Sequence, residues 1–382
     1  SGFKAINDVF GTEQADDLLK QIAVKLTEIT GPEDLVGRIT ADRFGVFIRQ
    51  EDFDPSRFTN LCKSLYMDKG DYKYPVTMHI GVCRSGSGEI TSQTIYDRAF
   101  FAIDGIRNDM QRVMAYYDES VREAIVWEQM ITGNIREAIR DGDIIPYIQA
   151  QVISDEVKGG EALIRWNHKK HGLLPPGKFL GILEKTGLIV DVDRYMWESA
   201  CKILGRWNAE GRDDMYLSVN ISPKDFYFTD VYGDITGYAG KYGIRAEQLR
   251  LEITETAMLN NESSVMDAIK SLRRDGFIVE MDDFGSGYSS LNTLKNLPVD
   301  AIKVDMLFLR NIPDADTYLK SKIILSNVIN MGLEMGLTVI TEGVESEEQK
   351  EFLEECGCRN FQGYHFSKPI PVEEFEAKFM GK

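Results

Sequence analysis

The sequence predicts an irregular (β/α)8 barrel preceded by a smaller α+β domain. Three observations lead there. From residue 142 onward, short apolar stretches alternate with helical ones for about 240 residues, the pattern of a barrel with a mostly parallel sheet. Acidic or amide residues close one apolar stretch after another, where such barrels keep their chemistry. A chain of 382 residues is also too long for one small core, and two domains are the natural division.

The first domain is expected over residues 1–116. Leu18, Leu19, Ile22, Leu26 and Ile29 recur at nearly 3.6-residue spacing, which predicts a helix over about 12–29. Short strands are expected at GVFIR (45–49) and VTMHIGV (76–82), and a helix near 93–108. A charged helical connector follows over 117–141, with acidic and basic residues around Val121, Ile125, Met130 and Ile135 and with Gly133 as a potential break. It reads equally as a solvated linker or as a dimer seam.

The second domain, 142–382, has eight expected strands. They are IIPYIQAQ (144–151), GEALIRW (160–166), MYLSVNI (215–221), LRLEIT (249–254), FIVEMDD (277–283), AIKVD (301–305), LTVITE (337–342) and NFQGY (360–364). Too little chain joins the first two for a crossover helix, so they are expected to pair antiparallel.

Composition narrows the function classes. Net charge is −17, from 61 acidic and 44 basic residues, a field that disfavours nucleic acid polymers and anionic membranes. An anionic small substrate remains open if metal ions and local Arg or Lys neutralise the site. Five scattered cysteines, Cys62, Cys83, Cys201, Cys356 and Cys358, make no zinc quartet and suit a reducing cytoplasm. No membrane span or signal peptide is visible. The opening Ser-Gly-Phe-Lys lacks Met, and we expect a longer parent chain whose upstream part carries any sensory or membrane segment.

Read at strand ends, the chemistry converges. Glu161 lies in the second strand, Asn220 ends LSVN, and Glu252 ends LRLE with Glu255 just beyond. Asp282 and Asp283 close FIVEMDD, Lys303 and Asp305 close AIKVD, Glu342 closes LTVITE with Glu345 following, and Gln362 ends the last strand. A single carboxylate there means little. Six successive acidic or amide ends must meet at one mouth, where repulsion and desolvation would be costly without cations. Oxygen ligands of this kind suit Mg²⁺ or Mn²⁺. The four histidines, His79, His168, His171 and His365, give no zinc site. Consecutive Asp282 and Asp283 allow one carboxylate to bridge two cations, an arrangement suited to phosphoester hydrolysis. Lys303 among these acids reads as a phosphate or water contact, with an ion pair to Asp305 as the plainer alternative.

These stretches resemble a known family. EALIRW (161–166), LSVNIS, LEITET, MDDFGSGYSSL, IKVD, TEGVESEEQ and NFQGYHFSKPI stand in the order and spacing of EAL-domain phosphodiesterases, which open cyclic di-GMP to linear pGpG. The resemblance implies that Glu161, Asn220, Glu252 and Asp282 hold one Mg²⁺ or Mn²⁺, and that Asp282, Asp283 and Glu342 hold a second. It implies that Lys303 and Gln362 contact the nucleophilic water or the metal shell. Glu342 and Asp283 are counted with them as catalytic. Arg165 matches an arginine that grips a substrate phosphate, and Gln149 joins it and Gln362 in binding substrate. Glu255, Glu345 and Asp305 are implied to brace the ligands or the loop after the aspartates. That loop, 284–291, implies a homodimer through the barrel, with Ser286 touching regulation or metal affinity. The sequence departs from the family at Ala150, Lys169 and Thr341, none of them a ligand position. The alternative reading is a catalytically silent cyclic di-GMP receptor signalling through the linker.

The first domain resembles a GGDEF domain lacking its opening strand, through FKAINDVFG (3–11), ADDLL (15–19) and RITADRFGVFI (38–48). Its signature is degenerate, with Thr40, Ala41, Asp42, Arg43 and Phe44 at the five positions. Arg43 replaces an acid of the cyclase reaction, and Gly31 stands where a product-inhibition arginine would be, although Asp34 remains. A cyclase is therefore not expected. Asn7 and Asp16 match the guanine-reading pair, which leaves two readings: GTP as a regulatory ligand, or a purely structural domain.

Overall fold

The computed structural model describes residues 2–69, 72–85, 91–107, 109, 111–259, 263–284, 298–305 and 315–381. Two compact units divide between Gln129 and Met130.

The first unit holds helices α1 (Gly2–Phe10), α2 (Thr12–Ile29), α3 (Pro55–Lys63) and α4 (Ser92–Asp104). Its strands are β1 (Leu35–Thr40), β2 (Arg43–Phe47), β3 (Tyr66–Lys69), β4 (Tyr72–Pro75), β5 (Ile80–Val82) and β6 (Met114–Tyr116). The expected helix over 12–29 is α2, and its Leu18, Ile22 and Leu26 pack with Phe58, Leu61, Leu65 and Met67 in one buried cluster. Two expected strands differ. The strand placed at 45–49 begins earlier and ends at Phe47, because β2 pairs as a hairpin with β1 in a register that closes at Leu35 opposite Phe47. The strand placed at 76–82 is reduced to β5, which finds its partner β6 only over Ile80–Val82. The β3–β4 hairpin was not expected. The helix expected near 93–108 is α4, which stops at Asp104.

The connector is one helix, α5 (Glu119–Asp141), and Gly133 does not break it. A helix-interior glycine costs about 1 kcal/mol against alanine, and the buried Ile131, Ile135 and Ala138 on one face outweigh that.

The second unit is a closed barrel. Strand β7 (Ile144–Ile153) is followed by β8 (Glu156–His168), the short β9 (Gly172–Leu174), β10 (Tyr216–Ile221), β11 (Leu249–Thr254), β12 (Ile278–Asp282), β13 (Ala301–Asp305), β14 (Thr338–Glu342), β15 (Asn360–Gln362) and the two-residue β16 (Ile370–Pro371). The barrel runs β7, β8, β10, β11, β12, β13, β14, β15 and returns to β7. All neighbours are parallel except β7, which is antiparallel to β8 and β15. The irregularity comes from the turn after β7: Ser154 and Asp155 have φ of 48° and 69°, and Ile153 pairs directly with Glu156. Two residues in the left-handed region make the tight turn that suits a twisted hairpin.

Alternation along each strand sorts the residues. Leu217, Val219 and Ile221, Leu251 and Ile253, Val279 and Met281, and Ile302 and Val304 are buried. So are Trp197, Leu204 and Trp207 of the helix Ile189–Ala209. The intervening positions carry Ser218 and Asn220, Arg250 and Glu252, Glu280 and Asp282, Lys303 and Asp305. Ser218 on β10 reaches Glu280 on β12, past β11, so these side chains meet across the lumen. The barrel interior is polar along much of its length. Among the described residues no helix is long and apolar enough to cross a membrane.

Candidate active site

Lys303 is the centre of the site. Only 1% exposed, its Nζ lies 2.7 Å from Glu252 Oε2, 2.7 Å from Glu342 Oε1, 3.5 Å from Glu161 Oε2 and 3.6 Å from Asp282 Oδ1. These four carboxylates come from β11, β14, β8 and β12, so the strand ends do converge. Each of the four is an ion-pair partner of Lys303.

Four carboxylates face one ammonium, and the imbalance appears in their acidities. Burial, and then the charge of Glu161, hold the Glu252 carboxyl well above its ordinary value. Burial pushes Glu342 up to about 8 despite Lys303. Burial also works against Glu161, yet Lys303, Gln362 and Asn220 outweigh it and keep that carboxyl below its ordinary value. Lys303 loses from burial and gains more from the surrounding carboxylates, which hold it well above the usual lysine range. Both Glu252 oxygens are buried, and Lys303 Nζ faces Oε2 at 2.7 Å.

The backbone is strained at Asp283, just after β12. Asp283 has φ 55°, a conformation few non-glycine residues adopt, and its N–H donates to Asp282 Oδ1 at 2.9 Å. Burial and then Asp282 and Asp305 raise the Asp283 carboxyl.

Amides surround Glu161. Asn220 Nδ2 donates to its Oε1 at 3.0 Å, and Gln362 Nε2 donates to its Oε2 at 2.6 Å and to Gln149 Oε1 at 3.2 Å. Gln149 in turn donates to Ser367 O at 3.2 Å. Trp197 Nε1 fixes the Asn220 backbone carbonyl at 2.9 Å. Arg165, half-buried on β8, lies with its guanidinium 5.3 Å from the Tyr147 ring centroid and donates to Ile164 O.

Three further expected residues lie at other points on the strands and their flanks. Glu255 is buried at the start of a short helix after β11, Glu345 is exposed beyond β14, and Asp305 ends β13. Segment 285–297, which contains Ser286 and most of the proposed dimer loop, lies outside the described residues. In the first unit Asn7 is half-buried on α1 and Asp16 exposed on α2. Arg43 donates to the Tyr96 hydroxyl at 3.0 Å and stacks 4.1 Å from the Phe100 ring centroid.

The donor chemistry fits a divalent cation. The carboxylates outnumber Lys303, and with the Asn220 carboxamide they offer oxygen, the donor type that Mg²⁺ and Mn²⁺ take. Among the described residues no group of three His, Cys, Asp or Glu side chains is already at metal-ligand spacing.

Sequence reading missed Gln151, Ser218, Arg250 and Glu280. The signal was present: each sits two residues before or after a site residue on the same strand, hence on the same face.

The fold and site thus define a barrel with an acidic, oxygen-lined mouth at the carboxyl ends of its strands. The family model of the EAL domain matches residues 132–369, and that of the diguanylate cyclase GGDEF domain matches residues 1–111. The chain belongs to the EAL-domain family, its barrel preceded by a GGDEF domain, and both resemblances read from the motifs are borne out. "Signaling protein YkoW" of Bacillus subtilis is 31% identical over 98% of this chain and 47% of its own length. "Bifunctional diguanylate cyclase/cyclic di-GMP phosphodiesterase MucR" of Pseudomonas aeruginosa is 28% identical over 98% of this chain and 55% of its own. The chain therefore spans about half the length of the curated relatives it matches. A solved structure described as "PaMucR Phosphodiesterase, c-di-GMP complex" is 31% identical with a TM-score of 0.61, covering 64% of this chain and 99% of that one.

Proposed function

We propose that the chain is a phosphodiesterase that hydrolyses cyclic di-GMP to linear pGpG with Mg²⁺ or Mn²⁺. The single observation that supports this most is the set of four carboxylates gathered on one buried lysine. Similarity to proteins named as cyclic di-GMP phosphodiesterases supplies the substrate class.

In this reading Glu161, Asn220, Glu252 and Asp282 hold one metal, and Asp282, Asp283 and Glu342 a second. When bound, such a pair lowers the pKa of water and offsets charge on the phosphate. The side chains do the rest. Asn220 commits its Nδ2 to Glu161, which leaves its oxygen available as a ligand. Lys303 donates to the attacking water or a phosphate oxygen. Arg165 offers a planar fork to a phosphate, and Gln149 and Gln362 position the substrate. Water adds across one phosphodiester: its oxygen bonds to phosphorus, the bond to the 3′ oxygen breaks, and that oxygen takes a proton.

The first domain serves as a regulatory or structural module, with GTP at Asn7 and Asp16 as the regulatory version. Arg43 is occupied by Tyr96 and Phe100, which supports the absence of a cyclase. Chromatography of incubations with cyclic di-GMP, and separately with GTP, tests the assignment. We expect pGpG from the first with Mg²⁺ or Mn²⁺ and no cyclic di-GMP from the second. Retention of intact cyclic di-GMP by well-folded protein with either metal would mean a receptor instead of an enzyme.

A further inference from the structure

Below the carboxylate cluster, a chain of side-chain hydrogen bonds crosses the barrel interior. Arg250 Nη1 donates to Glu280 Oε1 at 3.0 Å, and its guanidinium stacks 3.4 Å from the Tyr216 ring centroid. Ser218 Oγ lies 3.2 Å from Glu280 Oε2 and 3.4 Å from Gln151 Oε1. Gln151 Nε2 donates to Gln362 Oε1 at 2.8 Å, and Gln362 Nε2 donates to Glu161 Oε2 at 2.6 Å. Residues of β11, β12, β10, β7, β15 and β8 take part, six of the eight barrel strands. Gln151 is 2% exposed and Glu280 fully buried.

The direction of this chain is fixed at its upper end. Glu161 Oε2 and Gln149 Oε1 both face the Gln362 amide and both accept. Turning that amide over would set its oxygen against two acceptors. Gln362 must therefore present Nε2 to Glu161 and Oε1 downward, and Gln151 supplies the donor to that oxygen. The Gln151 oxygen then faces Ser218, whose single proton is contested between Gln151 and Glu280. Arg250 covers the other Glu280 oxygen, so the contest leaves Glu280 paired.

A buried amide costs free energy unless it is hydrogen-bonded, and an apolar side chain would fill this place without that demand. The geometry points to Gln151 as a positioning residue of the proposed hydrolase: by holding the Gln362 amide in one orientation, it presents a donor to Glu161 and fixes the carboxylate that would ligate the metal. The inference rests on the metal-dependent reading above and adds a residue to it. Gln151 contacts Gln362 and Ser218. It acts through Gln362.

The test is Mn²⁺ calorimetry on the full chain, with Gln151→Met, Gln362→Met and the double variant. Methionine keeps the size and removes the donor. Loss of a partner behind a metal ligand typically weakens metal affinity about 10–100-fold, and we expect Gln151→Met to weaken Mn²⁺ binding at least about tenfold on that scale. The effect should vanish in the Gln362→Met background, since the residue through which it acts is gone. In turnover, Gln151→Met should lower kcat/KM for cyclic di-GMP, with no further loss when Gln362 is already methionine. If Gln151→Met does not fold, Gln151→Leu replaces it with the same expectations. Unchanged Mn²⁺ affinity in a folded Gln151 variant, or effects that simply add in the double variant, would overturn the inference while leaving the hydrolase reading intact. A wild-type chain that binds no Mn²⁺ would overturn both.

Discussion

Lys303 Nζ lies 2.7 Å from Glu252 Oε2, and the carboxylates of Glu342, Glu161 and Asp282 stand around the same nitrogen. One ammonium is thus stretched over four carboxylates, and additional positive charge should stabilise the fold. Mn²⁺ at about a hundred times its dissociation constant would add about 2.7 kcal/mol, read as a rise in Tm that EDTA reverses. Lys303→Met removes the ammonium shared by the four and should cost about 3–5 kcal/mol in EDTA. Equal melting of the wild-type chain in Mn²⁺ and in EDTA would contradict this.

Glu161→Ala and Asp282→Asn each remove an oxygen charge from the cluster. A metal supplies several kcal/mol of charge stabilisation, and each 1.36 kcal/mol is tenfold in rate. Both variants should therefore lose more than about a hundredfold in turnover while keeping the circular dichroism of the parent. Comparable rates in either variant would remove its residue from the proposed ligand set.

Gly363, next to Gln362, packs directly on the Val344 backbone. A Cβ there would stand 2.1 Å from Val344 O and 2.3 Å from Val344 N, both backbone atoms that cannot swing away. The segments are tied by Val344 N donating to Gln362 O at 3.1 Å and His365 N donating to Val344 O at 3.0 Å. Gly363→Ala should cost about 2–3 kcal/mol and weaken turnover as Gln362 shifts. Denaturant melts and initial rates on the same preparation check both effects.

Asp193 and Asp225 form a buried carboxyl pair away from the cluster. Burial and then Asp225 hold Asp193 well above the usual carboxyl range, and burial pushes Asp225 up to about 6. Glu184 and Asp234 add to the raising, and Ser222 N–H opposes it. A folded-state pKa above the unfolded one means that the folded chain binds the proton more tightly. The stabilisation is therefore full below the ordinary carboxyl pKa of about 4 and is lost as pH rises through about 6 and beyond. Asp193→Asn supplies a donor to Asp225 that never titrates. It should be more stable than the parent by about 1–3 kcal/mol near neutral to mildly alkaline pH, with the advantage shrinking toward about pH 4. Parallel Tm curves for the two proteins across that range would rule out a shared proton.

Much of the barrel was legible because its signals are local. The strand-end acids declare themselves by type and position, and the short link after residue 153 dictates the antiparallel β7. Helix α2 follows from its 3.6-residue spacing. What was hidden depends on long-range contact. Gly133 stays helical because Ile131 and Ile135 are buried, which no local pattern states. The lengths of β2 and β5 are set by where their partners end. The link from Arg250 to Gln362 joins residues from strands up to 211 positions apart, so alternation places each on an inward face without revealing that they touch. The convergence of Glu161, Glu252, Asp282 and Glu342 was predictable from topology, whereas their collapse onto Lys303 was not.

Hydrolysis in ¹⁸O-labelled water tests the central claim most directly. Cyclic di-GMP incubated with the full chain and Mn²⁺ should yield linear pGpG whose terminal phosphate carries one ¹⁸O by mass spectrometry, and none should form in EDTA. Intact cyclic di-GMP after incubation with folded, Mn²⁺-supplemented protein would contradict the account.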